Sequence, residues 1–303
     1  MMISILIGSR NRAHVLECCL KSVFLQDYSS FEVLILEDSD DPKEYEHLIE
    51  SFSDPRLRLI HSLKPLGVSG SRNKLMEYAK GDILFFIDDD AFLDKNNTLS
   101  LVIEIFMSRP EVGILAFKVK NHGYVEREYN VPFSSRALKQ EPQLIEQNRY
   151  VGYFLGTAHA IRKEVIEECG VYNNELFFGE EELDLSYCVI SQGWKIYYDP
   201  RILVHHVPQP SVLDNENKKR GELYHHVKNR FYLAFRYLPA FYIPSYLGLW
   251  IFRYFVDSVK AKAIREYSAG LIKGVCWCCK IRREPLKPES VKYLKENFGR
   301  LWY

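Results

Sequence analysis

The sequence has no apolar run long enough to cross a membrane. A spanning helix needs about 20 consecutive apolar residues. The longest uncharged run, Tyr237 to Phe252, is shorter than that and contains two prolines. The N-terminal residues also lack the cationic segment and the apolar stretch of a signal peptide. We therefore expect a cytoplasmic protein whose contact with a membrane, if it makes one, is peripheral and on the cytoplasmic face.

A disulfide framework is also missing. The seven cysteines include the adjacent pair Cys18 and Cys19, and three lie in the segment CWCC, at 276, 278 and 279. Adjacent cysteines rarely bridge each other, so this spacing indicates reduced thiols. A metal site at CWCC would need a second ligand group at a matching distance, and the sequence offers none.

Charge of one sign does not dominate the whole chain of 303 residues, which has 40 basic and 40 acidic side chains. From Gln209 onward, however, there are 18 Lys and Arg against 8 Asp and Glu. This basic tail includes the aromatic stretch from Phe231 to Val259. Tyr and Trp beside Arg and Lys are typical of a helix that lies in the headgroup region of a membrane, although a helix packed on the core is the alternative. The mixture suits anionic lipid better than a nucleic-acid backbone, so we expect no nucleic-acid partner.

What the sequence does contain is an alternation of strands and helices. The segments ISILIGS, FEVLILED, RLRLIHS and DILFFIDDD have strand character, and segments of helical periodicity separate them. Each strand is nearly continuous in apolar residues, which predicts a parallel sheet covered on both faces. Two strands end in acids, at Glu37-Asp38 and at Asp88 to Asp90. Because ligands bind outside the carboxyl ends of such strands, these acids should share one crevice.

The rest of the first 207 residues is less regular. A helix beginning at Gly67 should be closed by Gly81, and residues 121–150 are polar and indicate a loop-rich connection. Two strand-like pieces flank Pro200. No internal repeat is visible.

Three consecutive aspartates at the end of a buried strand repel one another, so something must offset their charge. Water could do so at an exposed turn. A hard divalent cation could do so in a site, because Mg²⁺ and Mn²⁺ take carboxylate oxygens together with substrate phosphates. The second acid-ended strand nearby favours the cation, and we predict Mg²⁺ or Mn²⁺ at Asp88 to Asp90.

These motifs, in this order, resemble those of the family 2 glycosyltransferases. The resemblance covers residues 3–95 closely and resumes over residues 156–207. It implies a GT-A fold, which is a Rossmann-like, mainly parallel α/β sheet flanked by helices, here with a C-terminal helical extension. The implied organisation is a glycosyltransferase domain over residues 1–207, divided into a nucleotide-binding half (1–95) and an acceptor half (96–207), followed by the tail (208–303).

The resemblance also implies an inverting, metal-dependent transfer of a sugar from a nucleoside diphosphate, with UDP- or dTDP-sugars favoured. The backbone around Ile7 to Ser9, with Arg10, would line the nucleobase pocket. Asp38 would accept a hydrogen bond from a pyrimidine, with Glu37 as a less certain partner. Arg72, near a helix start, would face the ribose or diphosphate. The implied donor-site residues are Gly8, Ser9, Arg10, Glu37, Asp38, Arg72, Asp88 and Asp89.

The implied metal ligands are Asp90 and His206, with His205 as the alternative to His206. Asp89 would lie near the ribose. Asp88 could take this role instead, because the alignment of the three consecutive aspartates on the family's motif can shift by one residue. The family's acidic pair aligns best on Glu181-Glu182. This places the general base at Glu182, with Glu181 as a rival, whereas a helix start enriched in acids is the alternative explanation. Gly156, Trp194 and Asp184 would lie at the acceptor, which we expect to be a glycan, free or lipid-linked.

Other functions are less consistent with the sequence. A phosphatase with an aspartate nucleophile usually places that residue after its first strand, whereas Asp88 follows the fourth. A nucleotidyltransferase would need a glycine-rich phosphate loop, which IGSRNR is not. A glycan- or membrane-surface binding protein without activity is the remaining alternative.

Overall fold

The computed structural model describes residues 1–39, 41–123, 127–208 and 216–301, without the side chains of residues 216–220. Within these ranges, strands and helices alternate from the N-terminus, as predicted. The strands are β1 Ile3–Ser9, β2 Phe31–Glu37, β3 Leu57–His61, β4 Ile83–Ile87, β5 Ala91–Leu93, β6 Val112–Asn121, β7 Tyr129–Asn130, β8 Arg149–Val151, β9 Ala158–Arg162 and β10 Lys195–His206. The helices are α1 Ala13–Phe24, α2 Lys43–Phe52, α3 Gly67–Tyr78, α4 Thr98–Ser108, α5 Ser135–Gln140, α6 Lys163–Cys169, α7 Glu181–Ser191, α8 Glu216–Tyr237, α9 Ile243–Lys260, α10 Ile264–Cys278 and α11 Pro288–Glu296.

The strands form one sheet in the order β3-β2-β1-β4-β9-β6-β10-β5, with β7 and β8 paired outside this path. The first four strands are parallel, as their continuous apolar character predicts. Beyond β4 the sheet is mixed, because β9 runs antiparallel to both of its neighbours and β10 runs parallel to β6. Because β9 is antiparallel to both β4 and β6, strands β6 and β10 run in the same direction as β4. The carboxyl ends of β1, β2, β4, β6 and β10 therefore lie along the same edge.

Three local expectations need correction. The two pieces around Pro200 are one strand, β10, whose register against β6 shifts between Asp199 and Leu203. Proline cannot donate to a strand ladder, and such a bulge accommodates it. Helix α3 ends at Tyr78, before Gly81. The connection over residues 121–150 contains β7, α5, a 3₁₀ helix over Pro142–Glu146 and most of β8.

Two hydrophobic clusters cover the two faces of the sheet. One contains Ile5 and Phe85 with helices α1 and α4. The other contains Phe86 and, from the tail, Phe231 and Leu233. Full burial of a side chain such as Phe231 or Leu233 contributes about 1.5–3 kcal/mol, so α8 shares its core with the sheet. Among the residues that the structure describes, no helix is long and apolar enough to span a membrane.

Candidate active site

The shared carboxyl edge of the strands borders an open cavity of about 410 Å³. Its lining brings together most of the residues predicted for the donor and the metal, namely Gly8, Ser9, Arg10, Asp38, Arg72, Asp88, Asp89, Asp90 and His206. Of the predicted donor residues, Glu37 does not reach it. Glu37 is fully buried, pairs with His61 on β3 and accepts a hydrogen bond from the backbone N–H of Ser39 at 3.0 Å.

Asp88, Asp90 and His206 form the one potential metal-binding group found among the described residues. One ligand atom from each lies within 4.8 Å of the others. The three aspartates lie in the turn between β4 and β5, where the backbone N–H of Ala91 donates to the carbonyl of Asp88 at 3.1 Å, and the carboxyl end of β10 supplies His206. His206 Nε2 lies 3.4 Å from Asp90 Oδ1. The alternative ligand, His205, points elsewhere and contacts Asp94 and His122, at 2.7 Å each.

Asp89 is held inside the protein, with 1% of its surface exposed. Its Oδ2 accepts a hydrogen bond from Ser9 Oγ at 2.6 Å, and its Oδ1 pairs with Arg12 Nη2 at 2.5 Å. Arg12 also reaches Asp90, at 3.1 Å. In this arrangement Asp89 fixes the ends of β1 and β4 to each other, whereas the sequence predicted a ribose contact. Arg12 lies within residues 3–95, where the resemblance is close, yet its role was not predicted.

The acids differ in pKa because their surroundings differ. Burial raises the pKa of Asp88 to about 7, and neighbouring carboxylates add to the effect. Burial also raises the pKa of Asp89, to about 6, against the opposing charge of Arg12. Burial acts on Asp90 in the same direction, but the hydrogen bond and charge of His206 outweigh it and leave the Asp90 pKa below its usual value. Two carboxylates and an imidazole of this kind fit a divalent cation, which would offset the repulsion between them.

Asp38 lies beside the nucleotide-binding edge of β2. Its Oδ2 accepts a hydrogen bond from the backbone N–H of Leu66 at 2.8 Å, just before α3. The side chain lines the cavity together with the backbone of Gly8 and Ser9. Asp38 thus holds the chain in place just before α3. It also borders the space that a nucleobase would occupy.

Arg72 links the two halves of the domain. It lies in the second turn of α3, not at its first residues as predicted, and it is buried. Its Nη1 donates to Glu182 Oε1 at 3.0 Å, and its Nη2 donates to the backbone carbonyl of Gly156 at 2.9 Å. Arg72 therefore neutralises the predicted base while it also borders the donor cavity.

Gly156 makes room for this ion pair. A Cβ at Gly156 would lie 2.1 Å from Glu182 Oε1 and 2.9 Å from Arg72 Nη2, so the ends of both side chains would have to move. The sequence predicted Gly156 at the acceptor. The structure places it against the carboxylate of Glu182, on the segment that leads into β9.

Glu181 and Glu182 begin α7 and differ in environment. Glu181 is buried, and its Oε2 has no hydrogen-bond partner. Burial, together with the charge of Glu182, raises the pKa of Glu181 well above its usual range. Glu182 is partly exposed and bound by Arg72. Arg72 Nη1 lies 3.0 Å from Glu182 Oε1 and 3.8 Å from Glu181 Oε1, so the closer ion pair is with Glu182.

Two residues predicted at the acceptor lie elsewhere. Trp194 precedes the first residue of β10, at the opposite edge of the sheet from His206, and its indole N–H donates to Glu168 at 2.8 Å. Asp184 is buried in α7 and accepts a hydrogen bond from Tyr237 of the tail at 2.8 Å. Neither residue is among those that line the cavity, and their role at the acceptor stays a prediction.

Comparison with known proteins adds to this geometry. The family model described as "Glycosyl transferase family 2" matches residues 4–170, more than half of the chain. An uncharacterized protein of Haemophilus influenzae is 31% identical over 177 residues, which cover 56% of this chain and 91% of that protein. The GalNAc(5)-diNAcBac-PP-undecaprenol beta-1,3-glucosyltransferase of Campylobacter jejuni is 25% identical over 183 residues, covering 59% of this chain and 57% of that enzyme.

A third relative is the UDP-Glc:alpha-D-GlcNAc-diphosphoundecaprenol beta-1,3-glucosyltransferase WfgD of Escherichia coli, 24% identical over 170 residues. That match covers 56% of this chain and 57% of the enzyme, so the chain spans slightly more than half the length of both named glucosyltransferases. The structure of mannosyltransferase PcManGT from Pyrobaculum calidifontis, in complex with GDP-Man and Mn²⁺, matches with a TM-score of 0.55 at 17% identity, over 97% of this chain and 74% of that one. At this identity the likeness concerns the fold, and it supports the expected GT-A architecture.

The buried, protonated state of Glu181 predicts a pH-dependent stability. Its pKa is raised on folding, so its contribution to the free energy of unfolding is full below the ordinary Glu pKa of about 4.3 and falls as pH rises towards the folded pKa. Glu181→Gln cannot ionise. We expect the melting temperature of this variant, relative to the native protein, to be higher at about pH 8 than at about pH 5. Equal differences at both values would contradict the assignment, and the exposed substitution Glu77→Gln is the control.

Proposed function

The chain belongs to glycosyl transferase family 2 and is a glycosyltransferase, and on this basis we propose that it transfers a sugar from a nucleoside diphosphate to an acceptor hydroxyl with inversion, in glycan synthesis. The observation that carries the proposal is that Arg72 connects two acidic groups. Arg72 lines the same cavity as the Asp88-Asp90-His206 group, and it also donates a hydrogen bond to Glu182.

The donor would occupy the cavity with its nucleobase beside Gly8, Ser9 and Asp38. A carboxylate accepts a hydrogen bond from the N–H of a pyrimidine ring, which favours a UDP- or dTDP-sugar. The name of the Escherichia coli relative, which includes UDP-Glc, supports a uridine donor. Arg10 and Arg12, at the mouth of the same cavity, supply positive charge for the diphosphate.

Asp88, Asp90 and His206 would hold Mg²⁺ or Mn²⁺. When bound there, such an ion stabilises the negative charge of a departing nucleoside diphosphate. The mixed oxygen and nitrogen ligands suit Mn²⁺, the ion in the related mannosyltransferase structure. The role of Arg12 is to hold Asp89 and Asp90 in place through the two ion pairs that it makes.

Glu182 would act as the general base. It removes the proton of the acceptor hydroxyl while that oxygen forms a bond to the anomeric carbon and the bond to the diphosphate breaks, with its electron pair leaving on the diphosphate. One displacement inverts the anomeric centre. Arg72 orients the carboxylate of Glu182, whereas burial raises the pKa of Glu181 to about 8 and makes Glu181 the weaker candidate for a base that must be ionised at neutral pH.

The acceptor would be a lipid-linked glycan, and the tail would bring the enzyme to it. The names of two relatives specify undecaprenol diphosphate-linked acceptors. Helix α9 turns its Tyr and Trp side chains inward and its apolar side chains outward, with Phe252 68% exposed. The outward residues of α9 and of the neighbouring α10 include Leu249, Phe252, Phe255, Val259, Ile264, Ile272 and Val275. Residues 241–283 carry eight Lys and Arg against two Asp and Glu, which favours an anionic membrane surface.

The donor and metal assignment predicts ligand-dependent stability. UDP or dTDP together with Mn²⁺ should raise the melting temperature, because a ligand at about 100 times its Kd stabilises the folded state by about 2.7 kcal/mol. Asp90→Asn should remove most of the part of this rise in melting temperature that depends on the metal. The matched substitution Asp54→Asn, in a remote pair with Arg56, should respond like the native protein. The assignment fails if no nucleoside diphosphate raises the melting temperature in the presence of Mg²⁺ or Mn²⁺. Such a result would favour a binding protein without activity.

The base assignment predicts a separation of donor binding from transfer. Glu182→Gln should lower kcat by at least about a hundredfold while nucleotide-dependent stabilisation remains, since general bases contribute about 10²–10⁴-fold. Gly156→Ala should also lower kcat, because its Cβ would displace Glu182 and Arg72. Gly248→Ala is the control, since nothing lies within 4 Å of a Cβ there. Loss of transfer in Glu181→Gln, with activity retained in Glu182→Gln, would assign the base to Glu181 instead.

The membrane contact predicts binding to anionic vesicles. The native protein should sediment with vesicles of phosphatidylcholine and phosphatidylglycerol, less with phosphatidylcholine alone, and less at high salt. Phe252→Ser should weaken binding several-fold without changing transfer to a water-soluble acceptor. Met107→Ser, at a residue of similar exposure on α4, is the matched control. A change of oligomeric state in Phe252→Ser, with vesicle binding intact, would mean that the surface joins two copies of the chain.

A further inference from the structure

Three consecutive residues of the tail helix α8 hold the loop that precedes α7. Lys228 Nζ donates to the carbonyl of Glu175 at 2.8 Å. Asn229 and Arg230 continue the contact along the loop towards the first residue of α7. All three side chains are buried. The contact joins the basic tail to the segment that carries Glu181 and Glu182.

Asn229 has the central position. Its Nδ2 lies within hydrogen-bond distance of three carbonyl oxygens, those of Leu176 and Phe178 at 3.0 Å each and that of Gly179 at 2.8 Å. An amide nitrogen has two N–H donors, so they are shared among the three acceptors. Asn229 is completely buried. One side chain therefore contacts three backbone carbonyls of this loop.

The loop has an unfavourable backbone conformation that needs such support. Phe177, Gly179 and Glu180 have φ angles of 60°, 74° and 73°, in the left-handed region. For Phe and Glu this conformation is costly and persists only where the surrounding structure holds it. Gly179 is also required by space, because a Cβ there would lie 2.6 Å from the ring of His226.

An ion pair completes the contact at the start of α7. Arg230 Nη2 lies 2.6 Å from Oε1 of Glu180, the residue immediately before the helix. Burial would raise the pKa of Glu180, but the charge of Arg230 outweighs it and lowers the pKa to about 2. Arg230 is itself held by α9, since it donates to Tyr246 Oη at 2.8 Å and lies 3.7 Å from the ring centre of Trp250.

We propose that Asn229 and Arg230 are positioning residues that place the carboxylate of Glu182 for catalysis. The inference rests on the proposed role of Glu182 as the base. Because α7 begins directly after Glu180, the position of the loop determines where the second residue of the helix presents its side chain. The tail is then a part of the catalytic machinery as well as a surface for membrane contact.

The test uses the full chain with Asn229→Asp, which keeps the shape of the side chain and removes its donors. We expect kcat to fall about ten- to a hundredfold, as for a displaced catalytic group, while the KM for the donor stays within about twofold, because Phe178 is the one residue of this loop among those that line the donor cavity. Hydrogen exchange over residues 175–183 should become faster. Asn297→Asp, on the tail beyond α11, is the matched control, with one bond to a backbone carbonyl.

A second variant separates positioning from folding. Arg230→Lys keeps the charge opposite Glu180 but loses the planar contact with Trp250, and it should give a smaller fall in kcat with unchanged donor-dependent stabilisation. The proposal is overturned if exchange over residues 175–183 is unchanged, if it rises without loss of kcat, or if kcat and donor binding fall together in both variants. Absence of transfer by the native protein would instead refute the proposed function, and the exchange measurement would still decide whether Asn229 holds the loop.

Discussion

The ion pair between Arg72 and Glu182 is the contact on which the organisation of the site depends. Arg72 comes from α3, and Glu182 comes from the start of α7. Their hydrogen bond, with that from Arg72 to the carbonyl of Gly156, fixes the position of the Glu182 carboxylate relative to the cavity that Arg72 lines. A buried guanidinium needs such partners, since an unpaired buried charge is strongly destabilising. The pair therefore stabilises the fold and defines the site at once.

Negative charge is concentrated at the carboxyl ends of the strands, and different neighbouring groups compensate for each acidic residue. Asp89 is satisfied by protein donors, from Ser9 and Arg12. Asp88 has less compensation, and burial leaves its pKa raised to about 7. That residual repulsion is the physical reason for expecting a cation beside Asp88 and Asp90. The same logic separates Glu181, buried and protonated, from Glu182, which is paired.

The tail has two faces with different roles. Its inner side contributes Phe231 and Leu233 to the core under the sheet and sends Arg230 to the loop before α7. Its outer side leaves Phe252 exposed beside basic residues. Of the two interpretations of the aromatic stretch, the core helix describes the inner side, and the proposed membrane contact would use the outer side of the same helices. Composition alone could not separate them, because both sides are rich in aromatic residues.

The sequence by itself determined the alternation of elements, the parallel strands β1 to β4, the family and the edge at which the acids gather, since these follow from local periodicity and from motifs in fixed order. It also pointed to His206 and to the Glu181-Glu182 pair. Only the tertiary structure decided which acids meet. Asp88 joins Asp90 through the turn between β4 and β5, and Trp194 lies far from His206 because the two residues stand at opposite ends of β10. Arg12, Arg72 and Arg230 find carboxylates 50 to 110 residues away in the sequence. Pairings over such separations depend on how the chain folds back, which no local pattern records.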